Sequence, residues 1–209
     1  LADVVVRHEV LRTRFPAVDG VPRQVVAPVA EATADLPWLW ADSVAVFESA
    51  VTAGFDVTVD LPIRAVAHRV GESDLLFAVV VHHIAADGES MLPLVSDVVA
   101  AYAARAAGGS SSGLAELDVQ FADYALWQHE VLGSATDPES VIGRELGYWR
   151  EQLAGLPDVL ELPADRPRPA VATHRGGTVA FQIPAVIADR VRDVAREHGA
   201  TLFMVAVSY

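Results

Sequence analysis

At 209 residues, with 52% apolar side chains, the chain is long enough to bury a core of its own. It has no cysteine, which excludes disulfides and thiolate metal sites, and its formal net charge of −13 argues against a nucleic-acid partner. No apolar run reaches the length of a membrane span, so the expectation is a cytoplasmic protein with no membrane contact.

The first residues, Leu1-Ala2-Asp3-Val4-Val5-Val6, already carry helical character without a leading Met, which reads as an entry partway through a helix ending near Val10. Leu11 to Phe15 is extended, with Pro16 closing the strand. Asp19-Gly20 is a hairpin turn signal, with Arg23 to Val26 as the partner strand. Asp42 to Ala53 has the pattern of an amphipathic helix. Ile63 to Val70 and Leu75 to His82 read as strands joined at Gly71-Glu72-Ser73-Asp74. A long helix is expected over Ser90 to Ala107, starting near Glu89 or Ser90. Gly108-Gly109-Ser110-Ser111-Ser112-Gly113 has linker composition and is read as a surface loop. Helices are expected at about Val119 to Leu132 and Glu139 to Leu153, then a proline-rich extended stretch from Leu156 to Thr173. The chain ends with a strand near Thr178 to Ile183, a helix from Pro184 to His198, and another starting at Thr201.

The chemistry concentrates in His82-His83-Ile84-Ala85-Ala86-Asp87-Gly88, between a buried strand and a helix. Strand-to-helix junctions are where α/β folds place sites. Consecutive strand residues point to opposite faces, so His82 and His83 cannot share one role. An exposed imidazole there can move a proton near neutral pH. Asp87 is either solvated or paired with a cation, and Gly88 permits a backbone conformation that a side chain would forbid. On these residues alone, a structural or solvated histidine pair is the simpler reading.

The wider pattern decides between them. His82 to Gly88 resembles the HHxxxDG signature of condensation domains of nonribosomal peptide synthetases, members of the chloramphenicol acetyltransferase-like superfamily. Other segments agree in the same order. Arg7-His8-Glu9-Val10-Leu11-Arg12-Thr13-Arg14-Phe15 is similar to the family's RHExLRTxF segment. Phe121-Ala122-Asp123-Tyr124-Ala125-Leu126-Trp127-Gln128 is also familiar from these domains, and Tyr148-Trp149-Arg150-Glu151-Gln152-Leu153-Ala154-Gly155 resembles the YWxxxLxG helix. Leu162-Pro163-Ala164-Asp165-Arg166-Pro167-Arg168-Pro169 resembles the proline-rich stretch that comes after it.

The resemblance implies an α/β fold: a mixed sheet flanked by helices, in an incomplete two-lobed V. Residues 1–171 would be the N-terminal lobe without its first strand and helix, and 172–209 the start of the C-terminal lobe. Such a fragment need not be active by itself. The implied reaction is amide formation between two thioesters held on 4′-phosphopantetheine arms of partner proteins, with no intrinsic cofactor and no metal. The implied partners are upstream donor and downstream acceptor peptidyl carrier proteins and an adjacent adenylation domain.

His83 matches the family's tunnel-facing histidine, as base or orienting group, and the Gly88 N–H faces the reacting carbonyl. His82, Asp87, Arg7 and Arg12 support the site. In this reading Asp87 is a buried anion paired with Arg7 or Arg12, Arg7 being favoured, so its removal strands a cation. Trp127, Tyr148 and Trp149 are read as packing residues, and His68, His129, His174 and His198 as structural or solvated. Glu89 stands where many family members carry Trp, a departure beside the active turn. Two alternatives stay open: an epimerisation domain of the same superfamily, and a non-catalytic docking domain. Docking domains typically lose part of the HHxxxDG motif, which is intact here.

Overall fold

The computed structural model describes residues 1–110, 112–161, 163–173 and 176–208. Ser111 of the linker-like run, the leading Leu162 of the proline-rich motif, and His174 lie outside the described residues. The chain divides into two compact units, Leu1–Gly155 and Leu156–Tyr209.

In the first unit, helix α1 (Ala2–Arg7) buries Val4 and Val5 and ends where His8 turns extended. A 3₁₀ turn over Glu9–Arg12 leads into β1 (Thr13–Arg14). Strands β2 (Ala17–Val18) and β3 (Val21–Pro22) form a tight hairpin. Its turn residues Asp19 and Gly20 both have positive φ, 53° and 77°, as the strand-matched turn requires. β4 (Val25–Val26) then pairs antiparallel with β1.

Two elements have no counterpart in the sequence-based expectation: helix α2 (Val29–Ala34) and strand β5 (Trp38–Ala41). Both are too short for a periodic pattern to be read. β5 matters because it makes the sheet mixed. Helix α3 (Val44–Thr52), capped by the Ser43 Oγ accepting the Val46 N–H at 3.3 Å, carries the chain from β5 toward β6 (Ile63–Arg69), which runs parallel to β5. β7 (Leu75–Val81) returns antiparallel on the other side of β6, giving the order β5-β6-β7. Central β6 is buried at Ile63, Ala65, Val66 and Ala67, as a strand covered on both faces should be.

Helix α4 (Met91–Ala106) carries Pro93 in its first turn, where the missing N–H is not needed, and buries Leu94 and Ala101. Helix α5 (Phe121–Leu132) starts with a reciprocal cap between Gln120 and Asp123, and helix α6 (Val141–Gln152) starts with the Ser140 hydroxyl on the Gly143 N–H. Val4, Val5, Leu11, Ile63, Leu94 and Ala101 belong to one core cluster, which joins the first motif, the sheet and α4. The aromatic residues of α5 and α6 correct the packing expectation. Trp127, Tyr148 and Trp149 are all exposed, meeting other rings instead of a core (Tyr124–Trp127 5.6 Å, Tyr148–Trp149 5.2 Å between centroids).

In the second unit, helix α7 (Ala185–Glu197) packs with helix α8 (Leu202–Val207). The strand expected near Thr178 to Ile183 does not form. Val179 and Phe181 are 86% and 83% exposed, and no described strand lies alongside to supply the ladder hydrogen bonds. Among the described residues, no helix is long and apolar enough to cross a membrane.

Candidate active site

The β6–β7 register places Val81 opposite Ile63, so β7 ends where the central strand begins. The His82 N–H extends the pairing by one bond, to the Pro62 carbonyl at 2.9 Å, and the chain then leaves the sheet. Local bonds shape the segment beyond. The His82 Nδ1 accepts the Ile84 N–H at 3.0 Å, and the His82 carbonyl accepts the Ala85 N–H at 2.9 Å. This folds 82–85 into a turn and leaves the His82 ring proton on Nε2, since Nδ1 is the acceptor. The His82 ring also meets Phe55 edge-on at 6.0 Å, and the Arg64 guanidinium stacks over the Phe55 ring at 3.8 Å.

His83 is exposed. It lines an open groove of about 420 Å³ together with Val51, Val81, Asp87, Gly88 and Met91. The groove's lining is therefore mostly apolar, with His83 and Asp87 as its ionisable members.

Asp87 departs from expectation. It is exposed and forms no ion pair with Arg7 or Arg12. Its Oδ1 accepts the Ser90 hydroxyl at 2.6 Å and the Ser90 N–H at 3.0 Å, while its own N–H donates to the Ser90 Oγ at 3.1 Å. The Ser90 hydroxyl first, then the Ser90 amide, and more weakly His83, hold the Asp87 carboxyl below the usual carboxylate range. Asp87 closes the turn before α4, a task that needs only neighbours in sequence.

Gly88 also corrects its first reading. Its φ is not positive, and a Cβ built on it would meet no atom within 4 Å. The chain's own backbone does not demand glycine there. What a side chain would occupy is open space at the groove.

Arg7 and Arg12 are engaged elsewhere. Arg7 Nη1 donates to both carboxylate oxygens of Asp97, at 3.0 and 2.8 Å, and its Nε donates to the Ala115 carbonyl. Arg12 is buried, donating to the Ala27 carbonyl at 2.6 Å and to Glu9 Oε1 at 2.9 Å. The cation of the first motif thus meets the carboxylate ten residues beyond Asp87, inside α4. His8 Nε2 reaches the same carboxylate at 2.6 Å. Sequence reading passed over Asp97, although a signal existed: it interrupts the helical stripe Leu94, Val98, Ala101, and a carboxylate on a core-facing stripe needs a partner. Glu89 is exposed. Among the described residues, no group of three or more His, Cys, Asp or Glu gathers as metal ligands do.

With this geometry in place, comparison with known proteins is specific. A family model described as a condensation domain matches residues 1–209. An isonitrile lipopeptide synthase of Mycobacterium tuberculosis is 44% identical over 216 residues, covering all of this chain and 8% of that protein. A dimodular nonribosomal peptide synthase of Bacillus subtilis is 41% identical over 214 residues, again all of this chain and 9% of that protein. The chain thus spans under a tenth of the length of these two relatives. Among solved structures, the X-domain in the complex of X-domain and OxyB from teicoplanin biosynthesis superposes with a TM-score of 0.77 at 36% identity, covering 95% of this chain and 44% of that one.

Proposed function

This chain belongs to the condensation-domain family, and from that premise we propose that it takes part in amide-bond formation between two carrier-bound thioesters in nonribosomal peptide synthesis. The observation that carries the reading is His83 at the end of β7, exposed on an open groove beside Asp87 and Gly88. The amine of the acceptor aminoacyl thioester attacks the donor thioester carbonyl. The C–N bond forms, the C–S bond breaks, and the donor arm departs as a thiol. The step needs a neutral amine held in line with the carbonyl and donors for the charge developing on oxygen. His83 meets the attacking amine, as its base or its orienting acceptor. The open space at Gly88 lets the carbonyl approach the backbone, where its N–H is the donor. His82 supports His83 by holding the turn.

On this reading the substrates arrive on 4′-phosphopantetheine arms of upstream donor and downstream acceptor peptidyl carrier proteins, in the cytoplasm, with an adenylation domain adjacent in the assembly. The protein brings no cofactor of its own. Residues 1–171 belong to the N-terminal lobe and 172–209 to the start of the next.

A second reading rests on the similarity to the X-domain solved with OxyB: a non-catalytic platform that docks another protein. One experiment separates the two. The full-length protein, given loaded donor and acceptor carriers, forms an amide-linked product under the first reading, and His83→Ala suppresses it. Absence of product from wild type with competent carriers, alongside retained partner binding, favours the second.

A further inference from the structure

The loop that carries His83 is held at its ends and not along its length. Among the described residues, the hydrogen bonds of 83–90 run within the segment or to its immediate neighbours in sequence. Behind it lies a cavity of about 240 Å³ lined by His8, Val10, Leu11, Ala85, Ala86 and Leu94. Ala86 also lines the groove in front, so the segment forms a thin wall between two open volumes. Where that wall stands is set by its anchors: the β6–β7 ladder on one side and the placement of α4 on the other.

The apolar contacts of α4, through Leu94 and Ala101, do not fix its rotation or axial position sharply, because burial is non-directional. Charge-assisted hydrogen bonds are directional. Asp97 supplies them, accepting from Arg7 through both oxygens and from His8 through one. The receiving end is itself braced. Gln120 at the start of α5 donates to the Arg7 carbonyl at 2.9 Å and accepts the Glu9 N–H at 3.1 Å.

We propose that Asp97, gripped by Arg7 and His8, is the positioning residue that sets α4 and thereby the aim of the His83 loop. This rests on the amide-forming reading for its catalytic consequence, though not for its structural one. Asp97 touches no reacting atom; it acts through the helix that ends the loop. The RHE of the first motif and the HHxxxDG segment become two parts of one device, joined through a residue outside both.

The test uses the full-length protein with loaded carriers and compares wild type, Asp97→Asn and Asp97→Glu. In Asp97→Asn, kcat is expected to fall about tenfold with KM changed less than about twofold. Amide hydrogen exchange should rise more across 82–94 than across 63–69, whose core amides report the global stability. Asp97→Glu, which restores the charge, should recover part of kcat. Should Asp97→Asn fail to fold, His8→Ala removes one of the gripping contacts and should give the same pattern with smaller amplitude. Unchanged exchange across 82–94 overturns the proposal, and so does a uniform rise throughout the chain, which marks a merely structural residue. If wild type makes no amide, the functional reading falls, while the exchange data still decide the clamp.

Discussion

The two sides of the segment from His82 to Gly88 are built on different principles. On the groove side, His83, Asp87 and Gly88 are exposed, and Asp87 is held by Ser90, three residues away. Behind it, Arg7 and His8 hold Asp97 across about ninety residues of sequence, at partly buried positions. The front is local and wet, while the back is long-range and largely shielded. On the proposed reading, the groups that meet substrate therefore face open space, and the contacts that hold the segment's scaffold lie behind it. Substitutions in front should change rate and spare stability, and substitutions behind should cost stability first.

The largest expected effect is at His83. In the full-length protein with loaded carriers, His83→Ala should lower the rate of amide formation by roughly 10²–10⁴-fold if the imidazole is a general base, with the melting temperature near wild type. The pH–rate profile separates base from orienting group. A base leaves a limb near the imidazole range that disappears in the variant. Wild-type rate and profile in His83→Ala would remove the residue from the mechanism.

Next is Arg7→Ala, which leaves the Asp97 carboxylate partly buried with His8 alone. Because charge-assisted bonds are lost and a carboxylate loses its cation, unfolding free energy should drop by about 2–3 kcal/mol, measured by urea titration. A change within error would mean that the rear of the site is no more structural than the front.

Gly88→Ala sharpens the contrast further. The added Cβ meets nothing in the folded chain, so thermal melts should overlay. The rate should fall about tenfold, because the methyl occupies space where the thioester carbonyl must approach. A lower melting point with normal kcat would reverse the assignment.

The smallest effect belongs to Asp87→Asn, whose melting point at neutral pH should stay close to wild type, since the residue is exposed and strands no cation. Its signature is in pH. The folded-state pKa lies below the unfolded one, so the unfolded chain binds more protons in that window. The Asp87 contribution is present above the ordinary carboxylate range and is lost as pH falls through the depressed value. Asp87→Asn should remove that part of the acid dependence. A large loss of stability at neutral pH would restore the buried ion pair that the sequence suggested.

That ion pair shows where reading a sequence stops. A strand ending at the histidines, a helix starting just after Ser90 and a turn at Asp19-Gly20 all form, because a short apolar run bounded by turn residues and the turn chemistry itself act over a few residues. β7 ends at Val81, so both histidines lie beyond it and strand alternation does not by itself orient them. The partner of Arg7 was not readable. Asp87 and Asp97 are both acidic and both near α4, and only packing of α1 against that helix selects between them. β5 and α2 were invisible because elements so short owe their existence to neighbours and carry no pattern of their own. Val179 and Phe181 have the alternation of a strand, yet alternation makes a strand only where another lies beside it. What the sequence determined by itself was where β7 ends and where α4 begins on either side of the segment from His82 to Gly88, since those depend on adjacent residues. Which charges meet, and which apolar residues are covered, was decided by tertiary structure, because burial and pairing are properties of surfaces that the chain brings together from far apart.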